Sequence, residues 1–160
     1  MNHLESLVSE YLEWQGYLIR RNTKVGRLAH GGWAMELDVV GYNPHNSHLV
    51  HYEPSLDAYP WDKREKRFKS KFENGRKYIL TELFNWLPSD TSIEQIAICP
   101  NRSKDRSTIA GGHLLSVDEF IKEVRDKVIT CGPAAKNAIS ENYPLLRMLQ
   151  LSHCGYRKSM

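Results

Sequence analysis

Cysteine is scarce in this chain. Cys99, Cys131 and Cys154 are an odd number and none belongs to a CxxC pair, which speaks against a disulfide framework and a zinc knuckle. Reduced thiols, and with them a cytoplasmic setting, are expected. Long apolar runs are also missing. Nothing approaches the roughly 18 consecutive apolar residues of a spanning helix. The first residues, MNHLESLVSEYLEW, are acidic and amphipathic, the opposite of a basic and then apolar leader, so neither membrane insertion nor secretion is expected. No segment repeats, and none is biased enough in composition to read as a linker or disordered tract. What is present, 160 residues with 41% hydrophobic and 26% charged, fits one globular domain that buries about two-thirds of its unfolded surface. That domain is expected to span 1–160, with a core over about 3–130 and a helical extension over 134–152.

Net charge is only +3, but it is unevenly spread: Trp61 to Ile79 holds eight Lys or Arg against three acids, a local +5. In the same stretch Trp61, Phe68, Phe72 and Ile79 fall within about 20° of one another on a helical wheel. This predicts a basic amphipathic helix with an apolar face packed on a sheet. Arg64, Lys69, Lys71 and Arg76 lie at the margins of that face, and Lys63, Lys66, Arg67 and Lys77 lie further round. Such a helix either binds phosphates or is an ordinary solvated face, since Lys and Arg are good helix formers.

The chain is organised around residues 36–55. Two apolar runs, Leu37 to Tyr42 and His48 to Glu53, flank Gly41 and the turn formers Asn43, Pro44, Asn46 and Ser47, the pattern of two antiparallel strands. Each strand carries acid where burial is expected. Alternation puts Glu36 and Asp38 on one face of the first, and His51, Glu53 and Ser55 on one face of the second. Unpartnered buried carboxylates are costly, so a bound cation or a Lys or Arg partner is implied. The every-third spacing of His45, His48 and His51 does not bring three imidazoles to one face, so no zinc cluster is expected there.

Around this centre, Leu4, Leu7, Val8, Tyr11 and Leu12 predict an amphipathic helix over 3–15 that stops at Gly16. Glu5 lies at the margin of its apolar stripe, where it either enters a site or simply favours the helix start. Tyr17 to Val25 reads as a strand, and Trp33 begins the next. Ile93 to Cys99, ended by Pro100, reads as a fourth strand joined in parallel by a crossover. Residues 101–113 read as a polar loop. Ser116 and Glu119 form a capping box for a helix that buries Phe120, Ile121, Val124 and Val128. Ala134 to Leu151 reads as two helical pieces, with Pro144 in the first turn of the second. Leu145, Leu146, Met148, Leu149 and Leu151 either wrap the core or form a homodimer contact. The expected fold is therefore α/β, a three-stranded antiparallel meander extended by a parallel fourth strand and flanked by helices.

The order Glu5, then ELDVVG, then LVHYEPS resembles the PD-(D/E)xK nuclease superfamily, the restriction-endonuclease-like fold, and in particular its small bacterial Holliday-junction-resolvase-like members. The similarity covers about residues 3 to 80. It implies a Mg²⁺- or Mn²⁺-dependent nuclease acting on DNA in repair, recombination or defence. Asp38 and Glu53 would be metal ligands, with Glu5 direct or through water and the Pro54 carbonyl as a further oxygen. The family's lysine position falls on Ser55, which can hydrogen-bond a water but carries no charge. Three consequences are open: Lys69 or Lys71 from the basic helix supplies the missing cation, His51 transfers a proton, or the chain is an inactive nuclease-like module that binds nucleic acid or protein. Nucleic-acid contacts are expected from Lys63, Arg64, Lys66, Arg67, Lys69 and Lys71. A different class of reading is an interaction protein in which the acids at 36, 38 and 53 pair with Arg20, Arg21 or Lys24. No base-reading motif is present, so sequence specificity is not implied.

Overall fold

The apolar face predicted for the basic helix sits where the alternation requires it, on one side of a sheet whose other side carries the remaining helices. The computed structural model describes residues 2–157. In chain order the elements are α1 (His3–Trp14), β1 (Leu18–Arg27), β2 (Trp33–Asn43), β3 (His48–Pro54), α2 (Trp61–Tyr78), β4 (Ile93–Cys99), β5 (Thr108–Ile109), β6 (Gly112–Ser116), α3 (Val117–Ile129) and α4 (Pro144–Cys154). The protein is α/β, with an open mixed sheet of six strands in the order β1-β2-β3-β4-β6-β5. The β1-β2-β3 pairs are antiparallel, and β3-β4 and β4-β6 are parallel. No helix among the described residues is long and apolar enough to cross a membrane.

The meander and the parallel β4 follow the sequence reading, and two segments depart from it. Residues 101–113 are not a loop throughout. Gly112–Ser116 adds β6 beside β4, and Thr108–Ile109 pairs back on it as β5, so the sheet has two strands more than expected. The run His113-Leu114-Leu115 is short and preceded by Gly111 and Gly112, and its pairing comes from β4, not from local propensity. Downstream, only Pro144–Cys154 is helical. Ala134 and Ala135 donate their N–H groups to Gly155 and Tyr156. The buried Gln150 amide donates to the Gly132 and Asn137 carbonyls and accepts from the Ile139 N–H. These bonds tie residues 134–139 to α4 and the residues after it, in place of a helix's own bonds.

One face of the sheet is covered by α1, α3 and α4. There Leu4, Val8, Tyr11, Phe120, Val124 and Leu146 pack on Val39, Val50, Tyr52, Ile96 and Ile98. α3 begins with the expected capping box, Ser116 and Glu119 each accepting from the other's backbone N–H. α1 is tied to α4 by Glu10, a buried carboxylate that accepts from the Leu145 and Leu146 N–H groups at the start of α4, where the helix dipole favours negative charge. Of the C-terminal leucines, Leu146 is buried in this core, and Met148 is left 62% exposed.

The other face is covered by α2. Phe68 and Phe72 pack on Ala97, Cys99 and Leu114, and Ile79 packs on Val40, Leu37 and Leu49. The helix does not end cleanly. Over Ile79–Leu83 it widens into a π turn, closed by the Phe84 N–H on the Ile79 carbonyl, and the Glu82 carboxylate accepts from the Gly26 N–H. α2 is thereby fixed at its carboxyl end to β1, which sets the rotation that decides which lysine faces the sheet.

Candidate functional site

The site begins with the register of β2 and β3. Val39 pairs with Tyr52 and Val40 with His51, so the next step places Asp38 abreast of Glu53. The ladder is modified at this step, because the Asp38 N–H donates to the Glu53 side chain, 3.1 Å to Oε1. The two carboxylates converge on a single cation from α2. Lys71 Nζ lies 3.1 Å from Asp38 Oδ1, 3.0 Å from Glu53 Oε2 and 2.7 Å from the Glu36 carbonyl oxygen. The lysine and Asp38 are each about 15% exposed, and Glu53 is 2% exposed.

One ammonium does not neutralise two carboxylates in so dry a place. Burial, then the negative charge of Glu53, pushes Asp38 up to about 7. Burial likewise raises Glu53. Burial works against the charged form of Lys71, but Glu53 and Asp38 outweigh it and hold the ammonium above its usual range.

Behind Glu53 stands a buried polar chain. His51 is fully buried, and burial, followed by the nearby Lys71 charge, depresses it to about 3, so the imidazole is neutral. Its tautomer follows from Gln95. The Gln95 amide nitrogen donates to the Phe72 carbonyl at 2.9 Å, and the amide oxygen accepts from Arg76 at 2.6 Å. The same nitrogen lies 3.0 Å from His51 Nδ1, which must therefore accept. The ring proton is on Nε2, which donates to Glu53 Oε1 at 2.7 Å. Oε1 thus receives two N–H bonds, from His51 and Asp38, and leaves Oε2 to Lys71. Room for this chain depends on Gly75 in mid-helix, where a Cβ would sit 2.5 Å from His51 Nδ1.

Several sequence candidates fall elsewhere. Lys69 is exposed, with only a loose contact to Glu73 at 4.0 Å, so of the two lysines proposed to fill the gap it is Lys71 that reaches the acids. Ser55 Oγ is engaged with Asp57, accepting its N–H at 3.2 Å. Pro54 is the buried last residue of β3. Glu36 contributes its carbonyl, and its own side chain lies on the exposed edge. Glu5 accepts from Asn2 and from Asn22 at 3.3 Å. Asn22 falls between the pairs Arg21–Val39 and Thr23–Leu37, and among the described residues Glu5 does not gather with Asp38 and Glu53, so the expected third acid stands apart from the site. The alternative pairing of the acids with β1 cations does not occur. Arg21 pairs with Glu13 instead.

Gln95, Arg76 and Gly75 are the parts that sequence reasoning missed. A glutamine within the apolar run IEQIAIC and a glycine inside a helix were the available signals.

Among the described residues no three His, Cys, Asp or Glu side chains gather as a metal-binding group, which is unlike a zinc site. Mg²⁺ is commonly held by one or two carboxylates, keeping waters and taking phosphate oxygens from the substrate. Asp38 and Glu53 are two carboxylates of that kind, each already within 3.1 Å of the Lys71 ammonium. Searches against known protein families and against characterised proteins returned no match for this chain.

Proposed function

We propose that this chain is a divalent-cation-dependent nuclease of the PD-(D/E)xK, restriction-endonuclease-like type, acting on DNA in the cytoplasm, with its cation supplied by α2 and not by β3. The observation that carries this reading is the convergence of Asp38, Glu53 and Lys71 on one point at the surface of the sheet. It reproduces, from a different element, the two acids and one lysine of the motif that the sequence resembles. Mg²⁺ or Mn²⁺ held by Asp38 and Glu53 would polarise a scissile phosphate and make water a better nucleophile near neutral pH.

The chain's own groups have separable tasks. His51 and the Asp38 N–H orient Glu53 by holding Oε1. Lys71 offers an ammonium to the anionic phosphate and to the charge that grows on it, which is worth most in a site of low polarity. Lys63 and Lys66, exposed on α2, are placed to neutralise the flanking backbone.

The test is incubation of supercoiled, linear and branched DNA with the purified protein and Mg²⁺ or Mn²⁺, beside EDTA controls. Cleavage by the wild type that disappears in Asp38→Ala and Glu53→Ala is expected. Metal-dependent cleavage that survives both substitutions would remove the reading. One observation favours a second reading. Lys71 already satisfies both acids and the Glu36 carbonyl, as it would in an inactive module whose metal site has become a salt bridge. Mn²⁺ titration separates the two, because the inactive module would neither bind Mn²⁺ through Asp38 nor cut.

A further inference from the structure

The carboxyl ends of the parallel strands β3 and β4 carry a second assembly of aromatic and cationic side chains. Two segments meet there, residues 55–60 after β3 and 100–107 after β4, tied by Arg64, which donates to the carbonyls of Asp57 and Asn101. Between the first turn of α2 and residues 101–106 lies a cleft of about 350 Å³ lined by Trp61, Arg64, Asn101, Arg102, Ser103 and Arg106. This is within the size range of ligand clefts, and outside the carboxyl ends of parallel strands is where open α/β sheets bind ligands. Arg106 lies over the Trp61 ring, 3.9 Å from its centroid. One turn away Lys63 covers Tyr59 at 3.8 Å, with Arg67 at 5.5 Å.

We propose that Tyr59 and Trp61 form a stacking platform for unpaired bases, so that the DNA this protein handles has a single-stranded segment beside the bond to be cut. Several features point to that ligand. Both rings are only half-buried; Trp61 rests with part of its surface against the Phe68–Phe72 cluster, and the ring face under Arg106, like the Tyr59 face under Lys63, meets a cation and no core aromatic. The cations over them, Lys63 and Arg106, are paired with no carboxylate among the described residues, unlike Arg102 and Arg67, which are engaged by Glu119 and Asp57. Stacking of a base on an aromatic ring is worth about two to three times an exposed cation–π contact. An arriving base therefore displaces Lys63 or Arg106 from the ring and leaves that cation beside the phosphate. Duplex DNA offers phosphates but no free base face.

The spacing is suitable. Lys63, Arg67 and Lys71 follow one another at i, i+4 and i+8 on α2, a stripe about 12 Å long at about 1.5 Å per residue, leading from the Tyr59 ring to the Asp38–Glu53 pair. The proposal rests on the nuclease reading for what happens at the far end of that stripe. The platform itself is a binding site and can be tested without cleavage.

The experiment is fluorescence anisotropy in EDTA, with a mixed-sequence single-stranded DNA oligomer and a blunt duplex of the same sequence as probes. The wild type is expected to hold the single strand more tightly. Tyr59→Ala and Trp61→Ala should each weaken that binding by about tenfold and change duplex binding by less than about twofold, and Tyr59→Phe and Trp61→Phe, which keep a ring, should retain the preference. A wild type that holds single strand no better than duplex, or Ala variants that lose both probes equally, would overturn the platform. Selective loss in the Ala variants together with absence of any metal-dependent cleavage would sustain the platform and overturn the nuclease reading alone.

Discussion

Lys71 of α2 and Glu53 of β3 meet across the helix–sheet interface with Nζ 3.0 Å from Oε2. Position 71 brings a strongly charged group, held by three oxygens, to the acids from the opposite layer, so its contribution is separable from theirs. Lys71→Met is expected to lower the cleavage rate by about 10²–10³-fold, the usual effect of removing one preorganised charge from a reacting centre. Mn²⁺ affinity should stay the same or tighten, because the competing ammonium is gone. Lys69→Met should leave both within about twofold. Single-turnover rates beside Mn²⁺ titrations check this, and equal effects of the two lysines would dismiss the special role of Lys71.

The acids were legible because they break a pattern. Asp38 and Glu53 sit in strands that are otherwise apolar, and a two-residue alternation suffices to put them on the helix-facing side. The lysine was only half legible, since residues 69 and 71 lie about 200° apart on the wheel, on opposite margins of the buried face. Which margin meets Asp38 depends on the rotation of α2, fixed by Phe68, Phe72 and the Glu82–Gly26 contact, and that is tertiary information. For the same reason β6 and the non-helical 134–142 segment escaped, since their hydrogen bonds go to β4, Gln150 and Gly155, all distant in sequence.

Gly75 exists for His51. An alanine there would place its Cβ 2.5 Å from the imidazole and 3.0 Å from the Gln95 amide. His51 is fully buried and bonded on both nitrogens, so neither group yields easily. Gly75→Ala should cost about 1–3 kcal/mol by overcrowding, despite the better helix propensity of alanine. It should also lower cleavage by displacing Glu53. Asn74→Ala, one position away, should change stability by less than about 0.5 kcal/mol. Urea denaturation of the two variants decides the matter, and a stabilised Gly75→Ala would mean that the His51 chain is looser than its geometry implies.

Burial raises Asp38 from its ordinary 3.8 to about 7, which carries a sign for stability. Between those values the folded protein binds the proton more tightly than the unfolded chain does, so this residue makes stability fall as pH rises from about 4 to about 7 and then level off. His51 works the other way. Its folded value is depressed to about 3 from 6.5, so the stability due to the neutral ring is present above about 6.5 and is lost as pH falls towards 3. In metal-free protein, Asp38→Asn should therefore be more favourable relative to wild type at pH 7.5 than at pH 4.5. Denaturant midpoints at the two pH values provide the measurement, and a pH-independent difference would show that Asp38 is ionised throughout.

The basic helix makes a prediction about salt that distinguishes its residues. Lys63 and Lys66 are exposed without a carboxylate partner among the described residues, whereas Arg64 spends its guanidinium on the carbonyls of Asp57 and Asn101. Lys63→Ala and Lys66→Ala should each lower the slope of log affinity for duplex DNA against log salt by about one. Arg64→Ala should act chiefly on stability, by releasing residues 55–60 and 100–107 from each other. Anisotropy titrations over a range of salt concentrations test the ranking, and an Arg64 effect on the slope as large as that of Lys66 would contradict it.

If the cation at this site matters more than the element that delivers it, a lysine returned to the strand should replace the one from the helix. Residue 55 is two beyond Glu53, and its N–H still bonds the Ile98 carbonyl at 2.8 Å, so the β3 pleat that aims Glu53 towards α2 continues through it. A lysine there gives up only the Ser55 contacts to Asp57, which are on a half-buried turn. In the Lys71→Met background, Ser55→Lys is therefore expected to recover at least tenfold of the lost rate, with the gain dependent on Asp38 and Glu53. Ser55→Met in the same background serves as the uncharged control. If Ser55→Lys is no faster than Ser55→Met, the ammonium must approach from α2, between Asp38 Oδ1 and Glu53 Oε2, and charge at the site is not sufficient without that direction.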